Sequence, residues 1–182
     1  MSNVIVIYHS GYGHTKKQAE AVAEGAKADL IAIDANGDIT EADWLKLEVA
    51  KAIIFGSPTY MGSVSWQFKK FADASSKAWF TQKWKNKIFA GFTNSASLNG
   101  DKFSTIQYFI TLAMQHSGVW VGTGLLPAST KAAKRDDTNS LGGFSGALMA
   151  TPSDATVEEV NKGDLETAKL LGVRVAEFAN KN

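Results

Sequence analysis

Nearly unbroken apolar runs at Val4 to Tyr8, Leu30 to Ile33, Ala52 to Phe55, Ile88 to Phe92 and Val119 to Val121 alternate with longer stretches of helical periodicity. Runs that do not alternate polar with apolar suit strands covered on both faces, as in a parallel sheet. The helical stretches carry one apolar stripe: Thr15 to Lys27 places Ala19, Val22, Ala23 and Ala26 on one side and Lys16, Lys17, Glu20 and Glu24 on the other. Further helices are predicted over Ile39 to Lys46, Ser65 to Ser75, Lys102 to Ser117 and Asp164 to Asn180. Strand and helix in alternation imply right-handed crossovers. The fold class is therefore α/β, a doubly wound five-stranded parallel sheet with helices on both faces, in a single domain spanning residues 1–182. Thr123 to Ala150 breaks the rhythm; rich in Gly, Ser, Thr and Asn, it reads as a long functional or partner-contacting loop rather than a core element.

Ligands of such sheets gather beyond the carboxyl ends of the strands, which singles out the loops after the first, third and fourth runs. The first is Ser10, Gly11, Tyr12, Gly13, His14 and Thr15. Its hydroxyls, its glycine turns and the free N–H groups of a helix N-terminus converge on one point with favourable dipole potential, which suits a phosphate. It lacks the Walker A lysine and the third glycine of GxGxxG, so a monophosphate fits better than a triphosphate or a dinucleotide. The same residues also suit a plain strand-to-helix turn with Thr15 as N-cap. The second loop holds Pro58, Thr59, Tyr60, Met61, Gly62 and Ser63. Pro58 and the flanking glycines can turn backbone groups toward the polar edge of a flat ring, with Tyr60 and Met61 against its face; a simple turn packing Tyr60 and Met61 on the domain is the alternative. The third loop offers Thr93, Asn94, Ser95, Asn99 and Gly100, small groups suited to ring carbonyls and nitrogens, with a generic polar loop as the alternative. No aromatic sits there to cover a ligand, so one ligand face stays open.

Composition narrows the classes. A chain of 182 residues, 45% of them apolar, can bury one substantial core. A net charge of +1 with no basic run gives no field for nucleic acid or an anionic membrane. Cysteine is absent, which excludes thiolate catalysis, disulfides and cysteine-bound metal. No apolar run approaches the ~20 residues of a membrane span, and the N-terminus does not read as a signal peptide; a cytoplasmic protein is expected. The three histidines lack the i, i+4 spacing of a helical metal pair, so no metal site is expected.

YHSGYGHT at Tyr8 to Thr15, IIFGSPTYMGSVS at Ile53 to Ser65 and LAMQHSGVWVG at Leu112 to Gly122 resemble the flavodoxin-like superfamily, and more closely its NAD(P)H:quinone oxidoreductase branch, the Trp-repressor-binding-protein family. The resemblance runs over most of the chain and weakens over residues 33–51 and 126–141. It implies FMN as cofactor, with Ser10 to Thr15 around the phosphate, Pro58 to Ser63 and Thr93 to Gly100 around the isoalloxazine, and His116 near its pyrimidine side. Tyr60 and His116 are then the candidate catalytic groups. The implied reaction passes two electrons from NAD(P)H to a quinone; the alternative is a flavodoxin electron carrier or a regulatory flavoprotein. Flavodoxins as a family are strongly acidic and clamp the ring between two aromatic loops, which this nearly neutral chain does not match. The family also forms tetramers in which a neighbour's aromatic covers the flavin, and Trp79 occupies the matching stretch, so a homo-oligomer through the Trp79 region is expected. Trp66 and Trp120 read as packing residues, Trp79, Phe80 and Trp84 as an exposed patch, and His9 as structural. The chain lacks much of the family's insertion after the second strand.

Overall fold

The computed structural model describes residues 4–181. Strand β1 (Val4–Tyr8) leads through α1 (His14–Ala26) to β2 (Asp29–Ala32), and α2 (Glu41–Val49) leads on to β3 (Ala52–Tyr60). A short β4 (Ser63–Val64) folds back on β3 before α3 (Trp66–Ala74) and α4 (Ser76–Phe80); β5 (Ile88–Ser95), α5 (Lys102–Gln115) and β6 (Val119–Trp120) follow. After an irregular stretch come β7 (Ala147–Ala150) and α6 (Lys162–Lys181).

The sheet order is β2-β1-β3-β5-β6, with every pairing parallel except the β3–β4 hairpin. β6 pairs with Ile88 and Phe89 at the start of β5, and β7 with Phe92 to Ser95 at its end. The fifth strand position is thus shared by two segments, with residues 121–146 looping out between them. This corrects the expectation that Thr123 to Ala150 lies wholly outside the core: Ala147 and Met149 are fully buried. A four-residue strand inside a Gly- and Ser-rich stretch is too short to show a period.

Each central strand feeds two cores. Val4, Val6 and Tyr8 of β1 face α1 and α6, while Ile5 and Ile7 face the opposite layer with Phe68, Phe71 and Phe109. Both faces are apolar, which is why the runs do not alternate. Trp84 stacks within the second layer near Trp44 and Phe71, so it leaves the predicted exposed patch, of which Trp79 and Phe80 remain. Trp66, expected to pack, is 61% exposed because the buried stripe of α3 is Phe68, Phe71 and Ala72. Trp120 is partly buried and donates from Nε1 to Ser145 O at 2.8 Å.

Helices α1 and α6 touch backbone to backbone. A Cβ on Gly172 would lie 2.1 Å from Val22 O, and one on Gly25 2.0 Å from Lys169 O. Gly172→Ala should therefore push the helices apart and lower stability by about 1–3 kcal/mol, read as a reduced urea midpoint with an unchanged slope.

Candidate functional site: a cleft at the carboxyl edge of the sheet

β1 ends at Tyr8, level with Gly56 of β3, whereas β3 and β5 run on together through Ser57↔Thr93 and Pro58↔Asn94. The strand order reverses between β1 and β3, which leaves a crevice above the shorter strand. A cleft of about 290 Å³ opens there. Tyr12, His14 and Thr15 form one wall and Pro58, Thr59 and Tyr60 the second; Asn94, Ser95 and Ala96 meet Thr151 and Ser153 on the far side. The three loops picked out in the sequence converge. Ala96 falls within the third-loop range expected at the ring, whereas Thr151 and Ser153 were missed because the strand that delivers them was hidden; small polar residues after the ALMA run were the signal.

Gly13 is the N-cap of α1 with φ +92°, a left-handed conformation that glycine adopts without strain. The cap is therefore Gly13, not Thr15, which lies buried in the first turn with its side chain on the cleft. Ser10 Oγ accepts from the backbone N–H of Gly13 and of Lys16, both at 3.1 Å, so the loop curls around that hydroxyl. His14 donates from Nε2 to Ala155 O at 2.8 Å, tying the helix start to the segment after β7.

The second wall is braced from beneath. Thr93 donates to Ser57 O at 2.7 Å, and Thr59 Oγ1 lies 2.9 Å from Thr93 Oγ1 and 2.8 Å from Thr105 Oγ1 of α5. Thr93, expected at the ligand, is fully buried and serves this brace. Beyond Tyr60, Met61 and Gly62 have φ of +47° and +78° and join β3 to β4. Two central residues with positive φ fit the right-handed twist of a two-residue hairpin, and they leave Met61 fully exposed and outside the cleft. Ser63 pairs with Tyr60 in the hairpin, while Asn99 and Gly100 lie further along the third loop, and none of these three lines the cleft. Tyr12 packs edge-on against Tyr60 with centroids 6.4 Å apart, and burial, with a smaller contribution from Tyr12, holds the Tyr60 phenol pKa above its ordinary value. Tyr60 is a neutral hydroxyl at physiological pH.

The flavodoxin domain family matches residues 5–112. The chain belongs to this family. It is 56% identical over 181 residues to Flavodoxin FldP of Pseudomonas aeruginosa, covering 100% of this chain and 98% of that one. It is 32% identical over 200 residues to an NAD(P)H dehydrogenase (quinone) of Rhizobium rhizogenes, covering 100% and 98%. Among solved structures, a flavodoxin, WrbA-like protein from Agrobacterium tumefaciens superposes with a TM-score of 0.83 at 52% identity, over 100% of this chain and 99% of that one. FMN is the cofactor that this membership implies. The cleft fits it: among the described residues the buried Asn94 Oδ1 and Thr151 Oγ1 have no hydrogen-bond partner, and both residues line the cleft. Buried polar atoms without partners cost energy, and a ligand bearing polar hydrogens and ring nitrogens relieves that cost.

His116 does not belong to the cleft. It caps the carboxyl end of α5, a helix that starts at the cleft edge and runs about 20 Å to the opposite end of the sheet. There its Nε2 lies 2.9 Å from Ser75 Oγ and its ring packs 4.4 Å from Trp84. The resemblance placed it near the flavin, but within this chain the direction of the helix carries it to the other end of the sheet. Trp79 follows α3 to the same far end, beyond Ser75. Burial pushes the His116 pKa down to about 4 from its usual 6.5.

These geometries generate two expectations. Gly13→Val places a branched side chain in a left-handed position where even a Cβ would lie 2.7 Å from Val157 Cγ1; FMN affinity should fall at least about tenfold, with unfolding still cooperative. His116→Gln should leave FMN affinity and turnover unchanged. The unfolded histidine takes up a proton that the buried ring refuses, so His116 should cost the wild-type protein up to about 1.4 kcal/mol per pH unit as pH falls from 6.5 toward 4, and the variant, which keeps the contribution of buried His9, should show a slope shallower by that amount. Urea titrations across that range read it directly.

Proposed function

We propose that the protein is an FMN-dependent oxidoreductase that takes two electrons from NAD(P)H and delivers them to quinones or related acceptors. Ser10, Gly11, Tyr12, Gly13, His14 and Thr15 would hold the phosphate at the α1 N-terminus. Asn94 and Thr151 would accept and donate at polar edges of the cofactor, and Pro58 to Tyr60 with Ser95 and Ala96 would line its ring. The bound flavin supplies reversible two-electron chemistry that side chains lack. The chain's own work is to bind, orient and expose that group. Tyr60 offers a protonated hydroxyl at the wall, and the threonine brace keeps the end of β3 from yielding when a ligand enters.

The observation that carries this reading is the third loop. From Thr93 to Gly100 it presents no aromatic side chain, so nothing from that loop covers a stacked ring and a planar nicotinamide or quinone can approach in turn. The near-zero net charge points the same way, since it provides no acidic field for docking a basic redox protein. Self-association through the exposed Trp79 and Phe80 of α4 is part of the same proposal, and sedimentation reads it.

A second reading, an electron carrier, is favoured by the full-length similarity to a protein named a flavodoxin. One experiment separates the two. The FMN-loaded protein is mixed anaerobically with NADH or NADPH and then with benzoquinone. The oxidoreductase reading expects the visible flavin band to bleach with the nicotinamide and to return with the quinone. A flavin that stays oxidised with both nucleotides, yet bleaches when a separate flavodoxin reductase is added, would contradict it in favour of the carrier.

A further inference from the structure

Lys102 is the first residue of α5 and is 1% exposed. Both facts count against a lysine at this position. A cation in the first turn of a helix opposes the helix dipole, and burying an ammonium sacrifices its hydration. Its pKa shows that cost: burial holds it down to about 8, with Asp164 of α6 raising it and Arg135 of the 121–146 segment lowering it. A residue that breaks two local rules marks a place where something else is gained.

What is gained is visible at the ammonium. Lys102 Nζ donates to Ser97 O at 2.5 Å, Leu98 O at 3.0 Å and Asn99 O at 3.3 Å, so three successive carbonyls turn inward onto one point. Ser97 O also accepts from Ser95 Oγ at 3.2 Å, which joins this knot to a residue of the cleft wall. The chain then passes through Gly100 and Asp101, both left-handed at φ +53° and +52°. A non-glycine residue in that region costs about 1 kcal/mol, and a Cβ on Gly100 would lie 2.0 Å from Ser95 Oγ. A loop this tightly doubled persists only where other contacts over-determine it. Convergent carbonyls repel one another unless a cation sits among them.

We propose that Lys102 is a positioning residue of the cofactor site, a tethered cation that gathers the carbonyls of Ser97, Leu98 and Asn99 and so shapes the loop bordering the FMN cleft. The inference rests on the FMN reading of that cleft. Lys102 touches neither cofactor nor substrate; it acts through Ser97, Ser95 and Ala96.

The test uses Lys102→Met, which keeps the apolar stem and removes the donors, and Lys102→Ala with and without added propylammonium, sodium serving as the control at equal ionic strength. Two quantities are read: amide hydrogen exchange of residues 97–101 in FMN-free protein, and the dissociation constant for FMN. Lys102→Met should speed exchange in that segment at least tenfold and weaken FMN at least tenfold, with cooperative unfolding retained. Propylammonium, and not sodium, should restore both in Lys102→Ala. Unchanged exchange and FMN binding in Lys102→Met would overturn the proposal, as would equal rescue by sodium. If Lys102→Met fails to fold, the amine rescue of Lys102→Ala decides. A wild-type protein that binds no FMN would defeat the cofactor reading, and the exchange measurement would still decide whether Lys102 holds the loop.

Discussion

The amide groups at the start of α1 have no helical carbonyl to serve them, and the carboxyl edge of the sheet is arranged around that fact. Their position is set from two directions. Gly13 turns left-handed so that the chain can leave β1 and enter the helix within a few residues, and the glycine contacts of Gly25 and Gly172 clamp the helix against α6. β1 stops while β3 and β5 continue, so the helix end looks across a gap at Pro58 and Asn94. A cleft between a fixed row of donors and a braced strand end needs no lid and no charged side chain to be attractive to an anionic, planar ligand.

The split fifth strand shows how the irregular stretch is tied to the same edge. Asp164, buried at the start of α6, accepts from the backbone N–H of Ala150 at 3.0 Å and from both terminal nitrogens of Arg135. Arg135 belongs to the 121–146 segment, so one carboxylate joins that segment, the end of β7 and α6. The residue after Ala150 is Thr151, whose side chain lines the cleft. A buried ion pair contributes little net stability once desolvation is counted; its contribution here is to fix where β7 ends. The turn after β2 is equally economical, with Asp34 Oδ1 accepting from the N–H groups of Asn36 and Asp38 at 2.8 Å each and closing the connection in a few residues.

Most of the sheet was legible because its strands are buried on both faces and therefore read as unbroken apolar runs. The convergence of three strand-end loops was legible because glycine, proline and small polar residues at strand ends have few other uses, although only Pro58, Thr59 and Tyr60 of the second loop and Asn94, Ser95 and Ala96 of the third line the cleft. What was hidden has a physical reason in each case. β7 is too short for periodicity, and it took Thr151 and Ser153 with it. His116, which the resemblance put at the flavin, lies at the far edge of its own chain's sheet because a helix of this length carries its last residue there. Trp66 and Trp84 exchanged roles because burial follows the stripe of α3 and the packing of Trp44, not hydrophobicity alone. Lys102 drew no notice, since a lysine at a helix start reads as surface until its carbonyl partners are seen.

The central claim is that backbone and hydroxyl groups at residues 10–15 hold a phosphate. Comparing FMN with riboflavin, which differs only by that phosphate, tests it most directly, by quenching of flavin fluorescence on titration with protein. Two charge-assisted hydrogen bonds or their equivalent should make FMN at least about a hundredfold tighter. Riboflavin binding within a few-fold of FMN would contradict the account, because the cleft would then be recognising the ring alone.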